Sequence, residues 1–273
     1  MLSQLEVLSD QGATLILPVG ADSNGFYVRD IEGLDPVSAS LSSSPFGQLD
    51  GEVEQGARLE KRNIILKVGL EPDYITRTIS QMRRELYKYF MPMSNITIRF
   101  ISDDLETVTI RAKVEDMDAA LFTNDPEAVI SLVCYKPDFL SLIEVTLPGV
   151  STSAAVDTVL AYPGSNDTGF LFQLNVNRSI TGFTINQTLP DSKQKALQFQ
   201  YSLVAGDVLR LSTQAGNKFA TLTRSSTIKS AIGGVSPQAD WLKLAEGNNR
   251  IRVSIPGEAI PYTIKYTARY GGL

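Results

Sequence analysis

The chain has 273 residues, 43% hydrophobic and 20% charged, enough to bury one large core or two ordinary ones. With 25 basic and 30 acidic residues its net charge is −5, which excludes wrapping nucleic acid or an anionic membrane by bulk electrostatics. It has no histidine, which removes the commonest metal ligand and the Ser-His and Cys-His catalytic pairs, and no apolar run long enough to span a bilayer.

The opening "MLSQLEVLSD" lacks a basic region followed by an apolar one, so export by a signal peptide is not expected. From Ser38 to Gly51 the chain reads "SASLSSSPFGQLDG", rich in Ser, Gly and Pro. It has two readings, a mobile loop or an arm between two strands. Next, Ile64, Leu66, Val68 and Leu70 share one parity in "RNIILKVGL", the period of a half-buried strand.

Helical spacing follows, with Ile75, Ile79, Met82, Leu86 and Phe90 (or Tyr89) forming one apolar stripe. Pro72-Asp73 offers a start and Pro92 a stop. That stripe is expected in the core. The opposite side, Arg77, Ser80, Gln81, Arg84 and Lys88, is a basic polar strip expected to face out of the domain. Strand alternation resumes at Ile96, Ile98 and Phe100 and again at Val108, Ile110, Ala112 and Val114.

Cys134 is single, so it forms no internal disulfide, which suits synthesis in a reducing cytosol, and in "AVISLVCYKP" it reads as a small buried hydrophobe. Beyond it charged residues thin out and Thr, Ser, Asn and Gly turns multiply around strands such as "FLFQLNV" and "RIRVSI". This sets a boundary near Pro137-Asp138, giving domains 1–137 and 138–273, the second an all-β sandwich. Trp241, the sole tryptophan, is expected to plug that core rather than stack on a sugar.

No motif carries catalysis. Ser226 with Lys229 and Ser192 with Lys195 fit Ser-x-x-Lys, but the companion elements are missing. Glu115, Asp116 and Asp118 have the oxygens for calcium without the glycine-turned loop, and read as a solvated turn. Neither a cofactor nor an enzymatic activity is expected.

Four ordered stretches carry a resemblance: "VRDIEGLDPVSASLSSSPFGQLDG" with "KRNIILKVGL"; "TRTISQMRRELYKYFMP" with "ITIRF"; "DPEAVISLVCYKPDF"; and "GDVLRLST" leading to "WLKLAEGNNRIRVSI" and "IKYTARYGGL". Together they resemble the distal tail protein (Dit) family of long-tailed, non-contractile phages. The resemblance implies a mainly β chain: an N-terminal β-sandwich-like domain with one α-helix and a long β-hairpin, then a galectin-like β-sandwich. It implies a hexameric ring at the distal end of the tail, made in the host bacterial cytoplasm, with the tail tube above, the hub or tip protein below, and outer domains open to accessory or receptor-binding proteins. DNA is then only cargo passing through the lumen, and no membrane is entered. Ser43, Ser44, Pro45, Phe46 and Gln48 of the arm, with Arg77, Arg84 and Lys88, are the candidate subunit interface. The alternative reading is a carbohydrate-binding module at the tail tip; against it stands the missing histidine of galectin-type recognition.

Overall fold

A computed structural model describes residues 1–20, 25–47, 50–120 and 125–273. The chain packs as two compact units, Met1–Leu142 with Gly271–Leu273, and Ile143–Tyr270. In the first unit the elements are β1 (Leu2–Ser9), β2 (Thr14–Pro18), β3 (Phe26–Glu32), β4 (Ala39–Pro45), β5 (Glu52–Leu59), β6 (Arg62–Leu70), α1 (Ile79–Phe90), β7 (Asn95–Ser102), β8 (Val108–Ala119) and β9 (Glu127–Cys134). The strand β10 (Phe139–Val150) starts there, and its residues from Ile143 belong to the second unit.

Strands β2, β1, β7, β8, β9, β6 and β3 pair antiparallel in that order, and the two ends of the row meet at a parallel bridge between Val19 and Val28. The sheet thus closes on itself, and closure removes the long edges on which stray strands pair. Side chains alternate across a strand, so Leu5 and Val7, Ile64, Leu66 and Val68, and Ile96, Ile98 and Phe100 all fall inside and are buried. Met82, Leu86 and Phe90 of α1 are fully buried as well. Strands β4 and β5 stand outside this closure as a separate two-stranded sheet.

The helix begins later than the sequence expectation. Thr78 is its N-cap and forms a capping box with Gln81: the Gln81 amide donates to Thr78 Oγ1 at 3.4 Å, and the Thr78 amide to Gln81 Oε1 at 2.8 Å. Ile75 therefore lies before the helix and is 92% exposed, not a member of the buried stripe. The cause is Asp73, whose carboxylate accepts from the backbone amides of Ile75, Thr76 and Arg77 at 2.7–3.0 Å and so closes a turn of its own. Ile79, first in the helix, is half-buried.

The second unit packs two sheets face to face. One runs through the later part of β10, β19 (Pro261–Tyr270), β12 (Leu171–Asn175), β15 (Val208–Ser212), β16 (Phe219–Arg224) and β17 (Thr227–Ser230). The other has the order β11 (Thr158–Tyr162), β18 (Gly247–Ser254), β13 (Ile180–Thr188) and β14 (Gln194–Leu203). Phe172, Phe183, Phe199 and Tyr262 join the sheets as an aromatic chain with ring centroids 5.2–5.6 Å apart. Trp241 does not fill this core. Leu242 and Leu244 take the inward positions and are fully buried, which leaves Trp241 half-buried with Lys218 Nζ 4.8 Å from its ring centre.

Phe139 and Ser141 fall on the first unit's side of the division, beyond the expected boundary at Pro137-Asp138. Phe139 packs edge-on against Phe100 at 5.4 Å, while Leu140 and Ser141 pair with Thr109 and Val108 of β8. No helix among the described residues is long and apolar enough to cross a membrane.

Candidate assembly surfaces

The arm formed by β4 and β5 is paired from Ala39 with Leu59 to Pro45 with Glu52, with a bulge after Ser42. Every residue of β5 is exposed, including Val53 and Leu59, and Leu41 and Phe46 are also bare. Two strands alone are marginal in water, and both outer edges of this pair carry unpaired backbone groups. Side chains brace the outer part: Ser43 Oγ donates to Glu52 Oε2, and Gln55 Nε2 to Ser44 Oγ. Pro45 and Phe46 lie at the turn, where the Phe46 amide donates to Gly51 O at 3.4 Å. Gln48 lies outside the described residues.

The arm's root is held by a residue that sequence reasoning passed over. Arg62, directly after the descending strand, is 1% exposed. Its guanidinium donates to Gly33 O at 2.5 Å and Asp35 O at 2.7 Å, just before the ascending strand, and to Pro137 O at 2.7 Å and Gly271 O at 2.5 Å. The ring of Phe139 lies beneath it, 4.4 Å away. Burial pulls its pKa down, yet a guanidinium stays charged, so those carbonyls are what makes its position tolerable. Gly33 sits at φ +87°, where a Cβ would meet Asn63 O at 2.0 Å, so only glycine allows this approach. In sequence, Arg62 looked like one more surface cation in "EKRNIIL".

The basic strip of the helix is shorter than expected. Arg77 precedes the helix, pairs with Glu85 and lies over the ring of Phe26 at 5.0 Å, so it is not part of an outward row. Arg84 and Lys88 are exposed, one turn apart, and neither has an ion-pair partner among the described residues. Between them on the helix, Glu85 is already taken by Arg77.

Other candidates have structural roles. Cys134 is fully buried, and burial pushes its thiol up to about 11. Glu115 accepts from Ser131 Oγ at 2.9 Å, within the sheet wall. Ser192 and Ser226 occupy left-handed turn positions with φ near +67°. On the second unit an open groove of about 730 Å³ offers Thr, Ser and Gln side chains, but the two aromatic residues lining it, Phe183 and Phe199, are 5% and 0% exposed.

The family described as "Siphovirus-type tail component, C-terminal domain", the SPP1 Dit type, matches residues 163–270. The matched residues lie within the second unit, which is thus similar to a Dit-type tail-component domain. Over those residues the chain is similar to a structural component of phage tails. Over nearly the whole length its fold is similar to that of the Dit protein of phage SPP1, described as a paradigm of the hub adsorption apparatus in Gram-positive infecting phages. The identity there is 17%, the TM-score 0.67, and the alignment covers 97% of this chain and 98% of that one. Two structures of the phage p2 baseplate in its activated conformation, with Sr and with Ca, align at 8% identity. Their TM-scores are 0.46 and 0.44, over 98% of this chain and 99% of theirs. No curated protein matches the chain.

Proposed function

We propose that this Dit-type protein forms a homohexameric ring at the distal end of the tail, joining the tail tube to the hub or tip protein, with the arm and the helix of the first unit as ring contacts. The observation that carries this reading is the arm itself. It is a hairpin with bare apolar side chains and two open edges, on a unit whose other strands close on themselves. Such an element gains its stability from a neighbour. The description of the SPP1 relative as a hub supports the same reading. A net charge of −5 suits a lumen that passes DNA without holding it.

The test is deletion of residues 43–51 in the full chain. The described residues of that segment add no buried side chain to either unit, so both should remain folded. Mass measured by light scattering, beside the neighbouring tail proteins, should then fall from ring to monomer. Rings as stable as the parent's would remove the arm from the assembly. A parent that stays monomeric with those partners would remove the ring.

A further inference from the structure

The outer arm is acidic and unbalanced. Asp50, Glu52 and Glu54 lie there, and no Lys or Arg occurs between Arg29 and Arg58. In the register, Glu52 stands opposite Pro45 and Glu54 opposite Ser43, so these two carboxylates, two residues apart on β5, share one face. Among the described residues none of the three acids has an ion-pair partner. Like charges on one face of a hairpin repel, and the outer arm has no Lys or Arg to offset them.

The helix presents the complementary defect. Arg84 and Lys88 are neighbours at i and i+4, a like-charge pair that weakens a helix. Lys88, in the last turn, gains from the helix dipole; Arg84, in the middle, does not. Spacing matches as well as sign. Two residues along a strand cover ~6.7 Å, and four along a helix rise ~6 Å, so two carboxylates of the arm can face two cations of the helix without stretching either element.

Reach points to the occupant. The seven residues of β4 extend ~23 Å at strand rise, on an arm that pairs with no other strand of its own unit. A contact between arm and helix of successive copies uses two different surfaces of each subunit, which is the heterologous geometry that closes a ring.

We infer that the acidic outer arm of one copy, through Glu52 and Glu54, seats on the Arg84–Lys88 ridge of α1 in the next copy. This rests on the ring reading and names its contact. Exposed ion pairs are individually weak, so the contact sets register and orientation while closure of the ring supplies the avidity.

The experiment is a charge exchange in the full chain, with assembly beside the neighbouring tail proteins followed by light scattering at low salt. Glu52→Lys with Glu54→Lys should raise the subunit concentration needed for half-assembly by about tenfold or more, since several attractions become repulsions. Arg84→Glu with Lys88→Glu should do the same, and all four changes together should recover most of the parent's assembly. Circular dichroism melting confirms that each variant is folded. If either reversed pair assembles like the parent while the 43–51 deletion does not, the contact is wrong and the ring stands. Loss in both reversed pairs without recovery in the combination places the two charge sets against different partners and overturns the inference. A parent that never assembles overturns the ring reading, and the contact with it.

Discussion

Arg62 is the residue whose loss should be felt furthest. Breaking the set of a buried charge and its partners costs about 3–5 kcal/mol, because polar groups are left stranded out of water. Arg62→Met keeps the bulk and abandons the carbonyls of Gly33, Asp35, Pro137 and Gly271, so its unfolding free energy, measured by urea denaturation, should fall by an amount in that range. Amide exchange should rise first in residues 33–36, at the arm's root. Asp73 acts at shorter range. Its carboxyl is held at about 2 by the Thr76 hydroxyl and then by the amides of Arg77 and Thr76. Because the folded value is depressed, its contribution is present above the ordinary value near ~3.9 and disappears as pH falls through about 2. The turn that carries Tyr74 at φ +56° should therefore loosen only in strong acid, read by limited proteolysis with an acid protease. Cys134, pushed up to about 11 and buried, should remain unmodified by a thiol reagent at pH 8 until the protein unfolds.

At the scale of elements, α1 and the arm obey opposite rules. The helix is held by its inner face: Leu86 is fully buried, and Leu86→Ala should cost about 2–5 kcal/mol by the transfer and cavity terms together. Thr78→Ala removes the cap and should cost about 1 kcal/mol. Arg84→Glu with Lys88→Glu should change monomer stability by no more than about 0.5 kcal/mol, since both side chains sit in water. Chemical denaturation of the monomer checks all three. The arm has no inner face, so its shape depends on its root and on whatever lies against it. Removing it should change assembly far more than melting temperature.

The whole molecule divides its stability between two cores. The second unit has its own, built on Phe172, Phe183, Phe199 and Tyr262 and the aliphatic residues around them. We expect residues 143–270 to fold alone as a domain of ordinary size, with one cooperative melting transition. A fragment without such a transition would show that the two units share their stability. The reverse cut should behave differently. Residues 1–142 alone lack Gly271–Leu273, which supply an acceptor for Arg62 and the Leu273 amide that donates to Leu34 O at 3.1 Å. That fragment should be less stable than the same unit in the full chain, and the deficit should concentrate at the arm's root.

Much of this was legible in the sequence because it depends on near neighbours. Alternation alone located β6, β7 and β8, and the spacing of Met82, Leu86 and Phe90 located α1. Composition alone established an acidic chain without histidine, and the Ser-rich, Pro-bearing stretch before Gly51 marked a segment with few apolar residues to bury. Tertiary structure decided the rest. Ile75 fits helical spacing, but the carboxylate of Asp73 closes a turn around it first. Trp241 has the size for a core, but the local alternation that buries Leu242 and Leu244 points it elsewhere. The closure at Val19 and Val28 is a single bridge between residues with no distinguishing pattern. Arg62 is the clearest case, since its acceptors lie 27, 29, 75 and 209 residues away along the chain. Periodicity reports which face of an element avoids water; a buried charge is tolerated only where distant backbone carbonyls converge, and only the folded chain brings those together.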